Sequence, residues 1–357
     1  MVCQLPVDCL NEIFEYLEKN IVTLHSCLLV NRLWCKVSVR ILWRDIWKSY
    51  IPSRILNTLI ACLPNESKNL LRKNGIFIST PTLKYPLFNY ASFCKVLPIN
   101  EIYLTIDDFL KIENFNTPIS LLRVRNHVMT QEIFKMLMSQ ITSLKEITYY
   151  LNVHDESISN NINFIYFPGT KECLTNLSEL NCGSNINSEF FYQLSKICCN
   201  IQSLIIGFGY NISNGLKDLI SSQNNLKYLS LIQYYCSADW LDIIPSFTKH
   251  SNTLIKLKIN GRNKYGSLSF IAAFKNLQEL DLLGCCTSQE FEVLQYVIFS
   301  KLQNLKFSRE CPKIEMLIKF LEINGKNLKE FHVPNSLHLL DLLDINILCP
   351  NLKNNRY

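Results

Sequence analysis

Leu277-Gln-Glu-Leu-Asp-Leu, at residues 277–282, has leucine at its first, fourth and sixth positions. Seven other stretches follow this pattern, with Ile, Phe, Val, Tyr or Cys at some of the three positions, and they start at residues 144, 177, 201, 226, 254, 302 and 328. Successive starts lie 23 to 33 residues apart, and weaker copies start at Ile99 and Ile119. A pattern that returns at such an interval indicates a chain built from repeated units.

Each unit is predicted to be a strand, a turn and a helix. The leucine-rich element alternates like a half-buried strand, and stretches such as 290–297 and 314–321 have helical spacing. One unit buries too little apolar surface to fold alone, so neighbouring units must stack. The predicted fold class is therefore α/β: a solenoid with a curved parallel sheet and outer helices. The longest interval predicts a loop insertion around residues 160–168.

These units resemble leucine-rich repeats. The phrases Leu280-Asp-Leu-Leu-Gly-Cys, Cys198-Cys-Asn-Ile and Cys349-Pro-Asn-Leu are similar to the cysteine-containing subclass of that family. The resemblance implies a repeat domain over residues 97–357. It also implies that the pairs at 198–199 and 285–286 are small buried apolar residues rather than catalytic thiols. The last repeat is incomplete, which leaves open whether the polar residues 353–356 cap it or the chain is truncated.

The first fifty residues predict a small helical bundle. Leu10, Ile13, Phe14 and Leu17 have the spacing of one helical face, and two further apolar runs, at 24–30 and after residue 31, predict two more helices. Three of the four tryptophans lie in this segment, at positions 34, 43 and 47. The apolar side chains could fill the bundle's own core. However, so small a bundle cannot bury all of them, and surplus apolar surface indicates a partner.

Three stretches of this segment together resemble the F-box: Leu5-Pro-Val-Asp-Cys-Leu-Asn-Glu-Ile-Phe-Glu-Tyr-Leu, Leu28-Leu-Val-Asn-Arg-Leu-Trp and Ile41-Leu-Trp-Arg. The match spans residues 4–47 and implies a three-helix F-box at 1–49 that docks on Skp1, the adaptor of cullin–RING ubiquitin ligases. Some docking residues must also support the bundle core. Carried over by position, the predicted Skp1-binding residues are Leu5, Pro6, Leu10, Ile13, Val30, Trp34 and Trp43.

Residues 50–96 are predicted to be a packed helical connector. Apolar residues between Ile55 and Leu63 predict a helix that Pro64 stops, and a second short helix is predicted to end near Gly75. A flexible linker would be richer in Gly and Ser and poorer in aromatic residues. A rigid connector would fix the distance between the two functional ends of the chain.

The exposed concave face of the predicted sheet is the expected target-binding surface. The third, fifth and seventh positions of each repeat share that face, because side chains alternate along a strand. Those positions are mixed in charge and apolar near the middle, which suits a protein surface or peptide better than a polyanion. The predicted target-binding residues are Ile205, Tyr228, Ile232, Lys256 and Lys258.

Composition excludes several classes of protein. The hydrophobic fraction of 48% is too high for a disordered chain, and a formal net charge of +6 over 357 residues does not imply nucleic-acid binding. No apolar run reaches about 18 residues and no secretory signal opens the chain, so we expect no membrane association and a cytoplasmic or nuclear location with reduced thiols. The thirty-seven asparagines are interpreted as codon bias without functional meaning.

The sequence contains no recognised catalytic or metal-binding motif. No P-loop, H-E-x-x-H, G-x-S-x-G or C-x-x-C occurs, so we expect no cofactor, no metal and no enzymatic activity. His332 and His338 are close in sequence but are predicted to be exposed loop residues.

The two resemblances together predict the substrate receptor of a Skp1–cullin–F-box ubiquitin ligase, which supplies proximity rather than chemistry. Its target protein is not identified. The alternative is a Skp1-bound or free repeat scaffold, or a sensor, that delivers no target for ubiquitination. A third possible function is an enzyme with its active site in a repeat loop, but no residue of the sequence supports it.

Overall fold

The computed structural model describes residues 5–48, 52–77, 86–113, 117–150, 163–234, 241–261, 268–284, 291–309, 311–334 and 345–352. The chain divides into two compact units, Met1–Leu177 and Ser178–Tyr357. Both units contain helices and parallel strands, and within each unit the strands lie in the sheet in chain order. The predicted α/β class is therefore confirmed. The predicted domain boundaries at residues 49/50 and 96/97 stay predictions.

The first unit contains more helix than strand. Its elements are α1 Val7–Glu15, α2 Ile21–Cys27, α3 Arg32–Leu42, a 3-10 helix at Ile46–Lys48, α4 Pro52–Cys62, α5 Asn65–Lys73, a 3-10 helix at Tyr90–Phe93, β1 Val96–Pro98, α6 Ile99–Glu113, α7 Ile119–Gln140, β2 Glu146–Tyr149, a 3-10 helix at Phe164–Tyr166, and α8 Thr170–Leu174. Strands β1 and β2 pair in parallel, with Val96 opposite Glu146.

Helices α1, α2 and α3 enclose a small apolar core, because α3 packs against both of the others. Asparagines begin two of these helices: Asn20 Oδ1 accepts a hydrogen bond from the Thr23 amide at 3.1 Å, and Asn31 Oδ1 accepts one from the Trp34 amide at 2.9 Å. Such caps satisfy amides that have no partner within the helix. The buried core residues are Leu10, Phe14, Leu24, Cys27, Val37 and Ile41.

The two helices predicted in the connector are confirmed as α4 and α5. Pro64 stands at the N-cap of α5, and Gly75, at φ +71°, adopts the left-handed conformation just after α5 ends. The backbone of Arg44, the second residue after α3, is also held in place. The amides of Lys95 and Val96 both donate to the Arg44 carbonyl, at 2.8 and 3.1 Å. The end of the helical bundle is therefore bonded directly to the start of β1.

The weaker repeat copies at Ile99 and Ile119 are wrong as strands, since these residues begin helices α6 and α7. The first two apolar positions of the repeat pattern are three residues apart, and that spacing also places residues on one helical face. The predicted insertion lies partly outside the described residues, which resume at 163. Its described end packs into the core, where the Phe164 ring lies 5.6 Å from the ring of Phe134.

The second unit is a regular stack of repeats. Its strands are β3 Glu179–Gly183, β4 Ser203–Phe208, β5 Tyr228–Gln233, β6 Lys256–Asn260, β7 Glu279–Leu283, β8 Asn304–Ser308 and β9 Glu330–His332. Its α-helices are α9 Ser188–Ile197, α10 Asn214–Ser222, α11 Ile244–Thr248, α12 Ile314–Asn324 and α13 Ile345–Leu348. Its 3-10 helices are Leu241–Ile243, Leu268–Ala273, Leu294–Tyr296 and Gly325–Asn327.

The positions of the strands confirm the eight clear repeat elements. Strands β2 to β9 each begin at the third residue of an element, and consecutive strands from β3 to β9 pair in parallel without a shift of register. The helix predicted at 314–321 is confirmed as α12. In the stretch predicted as a helix at 290–297, residue 290 lies outside the described residues and a 3-10 helix occupies Leu294–Tyr296.

Buried polar side chains join neighbouring repeats behind the sheet. Gln223 Oε1 accepts from the Ile201 amide at 2.8 Å, and Asn324 Oδ1 accepts from the Phe299 amide at 2.7 Å. Both side chains are about 2% exposed or less. Their amide nitrogens also donate to carbonyls of the preceding repeat. A buried side chain that forms hydrogen bonds with the backbone in two neighbouring repeats stabilises a defined distance between those repeats.

Asparagines at the starts of repeats have a structural role that codon bias does not explain. The side-chain amides of Asn276, Asn327 and Asn351 each donate to a backbone carbonyl in the preceding repeat, at 2.6 to 3.1 Å. Each bond satisfies a carbonyl in a turn. The high number of asparagines was predicted to have no function. The positions of these three nevertheless help neighbouring repeats to stack.

Candidate protein-interaction surfaces

The sheet of the second unit presents three rows of side chains on one face, which we call the open face. Successive strands align residue by residue, so the rows run across the strands. The first row is Glu179, Ser203, Tyr228, Lys256, Glu279, Asn304 and Glu330. The second row is Asn181, Ile205, Ser230, Lys258, Asp281, Lys306 and His332. The third row is Gly183, Gly207, Ile232, Asn260, Leu283 and Ser308.

The structure brings the five predicted target-binding residues together on the open face. Tyr228 is the register partner of Lys256, and Ile205 is separated from Lys258 only by Ser230 in the second row. All five predicted side chains are half-buried, on the neighbouring strands β4, β5 and β6. Adjacent strands lie about 4.8 Å apart, so the five residues form one continuous patch. Their role in binding a target stays a prediction.

The two lysines of this patch differ in their electrostatic surroundings. Lys256 Nζ lies 2.5 Å from Glu279 Oε2 and 5.7 Å from the centroid of the Tyr228 ring. The hydrogen bond to the Glu279 carboxylate raises the pKa of Lys256 above its ordinary value of 10.5. Lys258 has no ion pair among the described residues. Lys258, whose register partner is Asp281, therefore keeps a charge that a ligand could use, whereas Lys256 is already paired with Glu279 and lies near the Tyr228 ring.

Burial separates the predicted Skp1-binding residues into two groups. Leu5, Ile13 and Val30 are about half exposed, and Pro6 is exposed as well. The other three predicted residues lie inward. Leu10 is 2% exposed and Trp43 is 9% exposed, while Trp34 is half-buried with its ring 5.2 Å from that of Phe14. Leu10 and Trp43 therefore belong to the interior of the fold, and their role in docking stays a prediction.

Sequence reasoning missed several exposed apolar residues of the same segment. Tyr16 and Leu29 are each 88% exposed, and Val22 is 78% exposed. Their positions relative to the predicted helices could have revealed them. An apolar residue that lies beside the apolar face of a helix, and not on it, faces solvent unless a partner covers it. The further exposed apolar residues of this segment are Val7 and Ile21.

Arg44 connects two parts of the helical segment. Its Nη1 and Nη2 lie 2.5 Å from Glu15 Oε2 and Oε1, which is a bidentate ion pair. The hydrogen bond from Arg44 lowers the pKa of Glu15 below its ordinary value. Arg44 ends the Ile41-Leu-Trp-Arg phrase, and its contacts join the end of α1 to the residues that follow α3. Its role in the structure is to hold the bundle together.

Burial raises the pKa of several thiols, including those of Cys62, Cys94 and Cys173. Cys198 is buried, and burial raises its pKa, which keeps the thiol protonated and poorly nucleophilic. Cys199 is exposed, which corrects the prediction that both members of this pair are buried. The pair at 285–286 lies outside the described residues.

The described parts of the chain contain no group of His, Cys, Asp or Glu side chains placed to hold a metal ion. His332 lies at the end of β9 and is half-buried, which corrects its assignment to an exposed loop, and His338 is outside the described residues. Within the described ranges no helix is both long enough and apolar enough to cross a membrane.

Comparisons with known proteins assign no family to the chain. No protein-family model matches it, and a search of curated proteins finds no match either. The assignment of function therefore depends on the residues and surfaces described above.

Proposed function

We propose that this chain is the substrate-receptor subunit of a Skp1–cullin–F-box ubiquitin ligase. The segment at residues 1–49 acts as an F-box that docks on Skp1, and the repeats hold a target protein for ubiquitination. The proposal rests on one structural observation: the helical segment leaves many large apolar side chains in solvent at positions where its sequence resembles the F-box.

The exposed apolar set is large for such a short segment. Leu5, Ile13 and Val30 belong to the predicted docking residues, and five further large apolar side chains between residues 5 and 30 are exposed with them. Burying one such side chain fully contributes about 1.5–3 kcal/mol. A few anchors of this size dominate the affinity of a protein–protein interface. Covering these side chains with an apolar partner surface is thus favoured over leaving them in water.

The connection between the docking segment and β1 supports a receptor. The Arg44 carbonyl accepts hydrogen bonds from Lys95 and Val96, and the Trp43 ring packs against the Tyr90 ring at a tilt of 43°, with 4.6 Å between centroids. A docked segment would therefore carry β1 with it as one body. A receptor needs such rigidity because it acts by holding two reactants at a defined distance.

The open face supplies the target-binding surface in this proposal. It combines Ile205 and Ile232 with Lys258, which has no ion pair within the described ranges, and with the ring of Tyr228, all within three neighbouring strands. Apolar and aromatic anchors beside a few charges are typical of protein-binding surfaces. The chain contributes proximity to the ligase and no chemical step of its own.

The test captures Skp1 from cells with the full-length chain and with variants. We expect Ile13→Asp combined with Val30→Asp to lower Skp1 recovery at least about tenfold, because each change places a charge in an apolar interface. The matched control is Ile112→Asp combined with Ile119→Asp, which alters two exposed isoleucines of α6 and α7. Unchanged helical circular dichroism in both variants shows that folding is retained.

Two results of this test would count against the proposal. Failure of the unaltered chain to recover Skp1 would refute the docking role, as would equal recovery by the docking and control variants. Skp1 recovery without any protein whose half-life lengthens on removal of the chain would favour the alternative, a scaffold or sensor that delivers no target.

A further inference from the structure

A row of lysines lies along one side of the second unit, where the chain turns from each helix into the next strand. We call this row the lysine edge. Lys227 immediately precedes β5 and Lys329 immediately precedes β9, while the others precede β6, β7, β8 and β9 by three to seven residues. All six side chains are exposed. The members of the lysine edge are Lys227, Lys249, Lys275, Lys301, Lys326 and Lys329.

The charges of the lysine edge are not neutralised within the described parts of the chain, where none of the six lysines forms an ion pair. The hydrogen bonds that three of them make go to neutral oxygens of the preceding repeat. Lys301 Nζ lies 2.7 Å from Asn276 Oδ1, Lys329 Nζ lies 2.9 Å from Gln303 Oε1, and Lys249 Nζ donates to a backbone carbonyl. These bonds orient the ammonium groups but leave the positive charge available to an anion.

A cleft of about 450 Å³ opens at the end of the lysine edge. Its lining contains neither a carboxylate nor an aromatic ring, and it is formed by Lys301, Lys329, one serine and the amide side chains of Gln278, Gln303, Asn327 and Asn351. The two ammonium groups only donate hydrogen bonds and carry positive charge, while each side-chain amide can donate as well as accept, so the lining suits a negatively charged ligand with acceptor oxygens. The nearest acids in sequence, Glu279 and Glu330, both belong to the first row of the open face.

We propose that the cleft and the lysine edge bind a carboxylate-rich segment of a partner protein. Side chains of Asp or Glu enter the cleft beside Lys301 and Lys329, and the segment continues across the neighbouring repeats along the remaining lysines. The cleft is open to solvent, and its volume lies within the range of known ligand-binding clefts. Single-stranded nucleic acid fits less well, because the lining offers no aromatic platform on which bases could stack.

The lysine edge is distinct from the surfaces assigned above. Lys256 and Lys258 belong to the open face, where acids alternate with bases, whereas the turns that carry the lysine edge, at 223–227, 249–255, 275–278, 300–303 and 325–329, contain no Asp or Glu. The lysine edge would therefore attract an acidic partner through the long-range interaction between opposite charges. The open face would instead recognise a partner through its shape and through apolar contacts. This inference does not depend on docking to Skp1, and Skp1 capture serves as an independent readout.

The test measures fluorescence anisotropy of a labelled twelve-residue peptide of alternating Glu and Asp, titrated with the full-length chain. We expect Lys301→Gln combined with Lys329→Gln to weaken binding roughly tenfold at low salt. The matched control is Lys135→Gln combined with Lys171→Gln, two exposed lysines of the first unit, which should change affinity less than about twofold. Binding by the unaltered chain should weaken steeply as salt rises.

Three outcomes would overturn the inference. They are the absence of peptide binding by the unaltered chain, an equal loss in the edge and control variants, and tighter binding of a single-stranded DNA probe of the same length. Loss of peptide binding in the edge variant with normal Skp1 capture and an unchanged melting temperature would support a separate site on a folded chain.

Discussion

His250 is a titratable residue inside the stack of repeats. It is 2% exposed, and its Nε2 lies 2.9 Å from the carbonyl oxygen of Ile220. A neutral ring donates to that carbonyl. Desolvation by burial lowers the pKa of His250 below 6.5, and the charge of Lys249 lowers it further, although the carbonyl acts in the opposite direction.

The pKa of His250 predicts a loss of stability in mild acid. The unfolded chain takes up the proton first as the pH falls through about 6.5, so the stability linked to this residue is complete above that pH and declines below it. We expect the urea midpoint of the full chain to fall between pH 7.5 and pH 5.5. His250→Gln should reduce that fall, and an unchanged fall in the variant would contradict the assignment.

Neighbouring residues in one helical pattern can have opposite roles. Leu10 and Ile13 belong to the same predicted face of α1, yet Leu10 is 2% exposed and Ile13 is 47% exposed. The sequence predicts a helix and its apolar side, because both follow from spacing. It does not predict where the core ends and the exposed surface begins, because that depends on how α3 packs against α1. Trp43 is also buried, but by a different contact, since its ring packs against that of Tyr90, and its predicted docking role stays a prediction.

Gly215 shows how closely elements approach one another in the second unit. It lies in α10, which packs against α9, and a methyl group at this position would overlap the Ser188 carbonyl oxygen. The Gly215 amide donates to Ser188 Oγ at 2.9 Å. A side chain at residue 215 would therefore separate the two helices.

We expect Gly215→Ala to destabilise the chain by about 1–3 kcal/mol, since overpacking at a close backbone contact forces the helices apart. Asp218→Ala is the matched control, because it places the same residue at an exposed position of the same helix. It should change stability by no more than about 0.5 kcal/mol. Chemical denaturation measures both effects, and equal stability of the glycine variant and the unaltered chain would show that the helices can separate at no cost.

At the level of elements, the repeat pattern predicts the strands of the eight clear copies but fails at the two weaker copies, although these also have an apolar sixth position, Leu104 and Val124. Strands β2 to β9 start where the clear elements predict, because alternating apolar residues must face the core of a stacked sheet. The pattern misled at Ile99 and Ile119, where long helices form instead. In α7, apolar residues such as Met129, Phe134 and Met138 are all buried, so local sequence spacing alone did not distinguish this helix from a strand.

At the scale of the molecule, three surfaces remain for partners. They are the exposed apolar side chains of the helical segment, the open face and the lysine edge. The formal net charge of +6 does not show where positive charge is concentrated. The structure places six lysines of the lysine edge along one side of the second unit. The sequence predicted the first two surfaces through family resemblance and strand alternation. It did not predict the lysine edge, because the lysines occupy different positions within their repeats and come together only when the repeats stack.

The central claim is that the helical segment docks on Skp1 through buried apolar contacts. Titration calorimetry of the purified full chain with purified Skp1, at two temperatures, tests it most directly. The account predicts a one-to-one complex with a negative heat-capacity change, which is the mark of apolar burial. The account also predicts that Ile13→Asp with Val30→Asp abolishes the heat of binding. Absence of binding at either temperature, or binding that the double variant leaves unchanged, would contradict it.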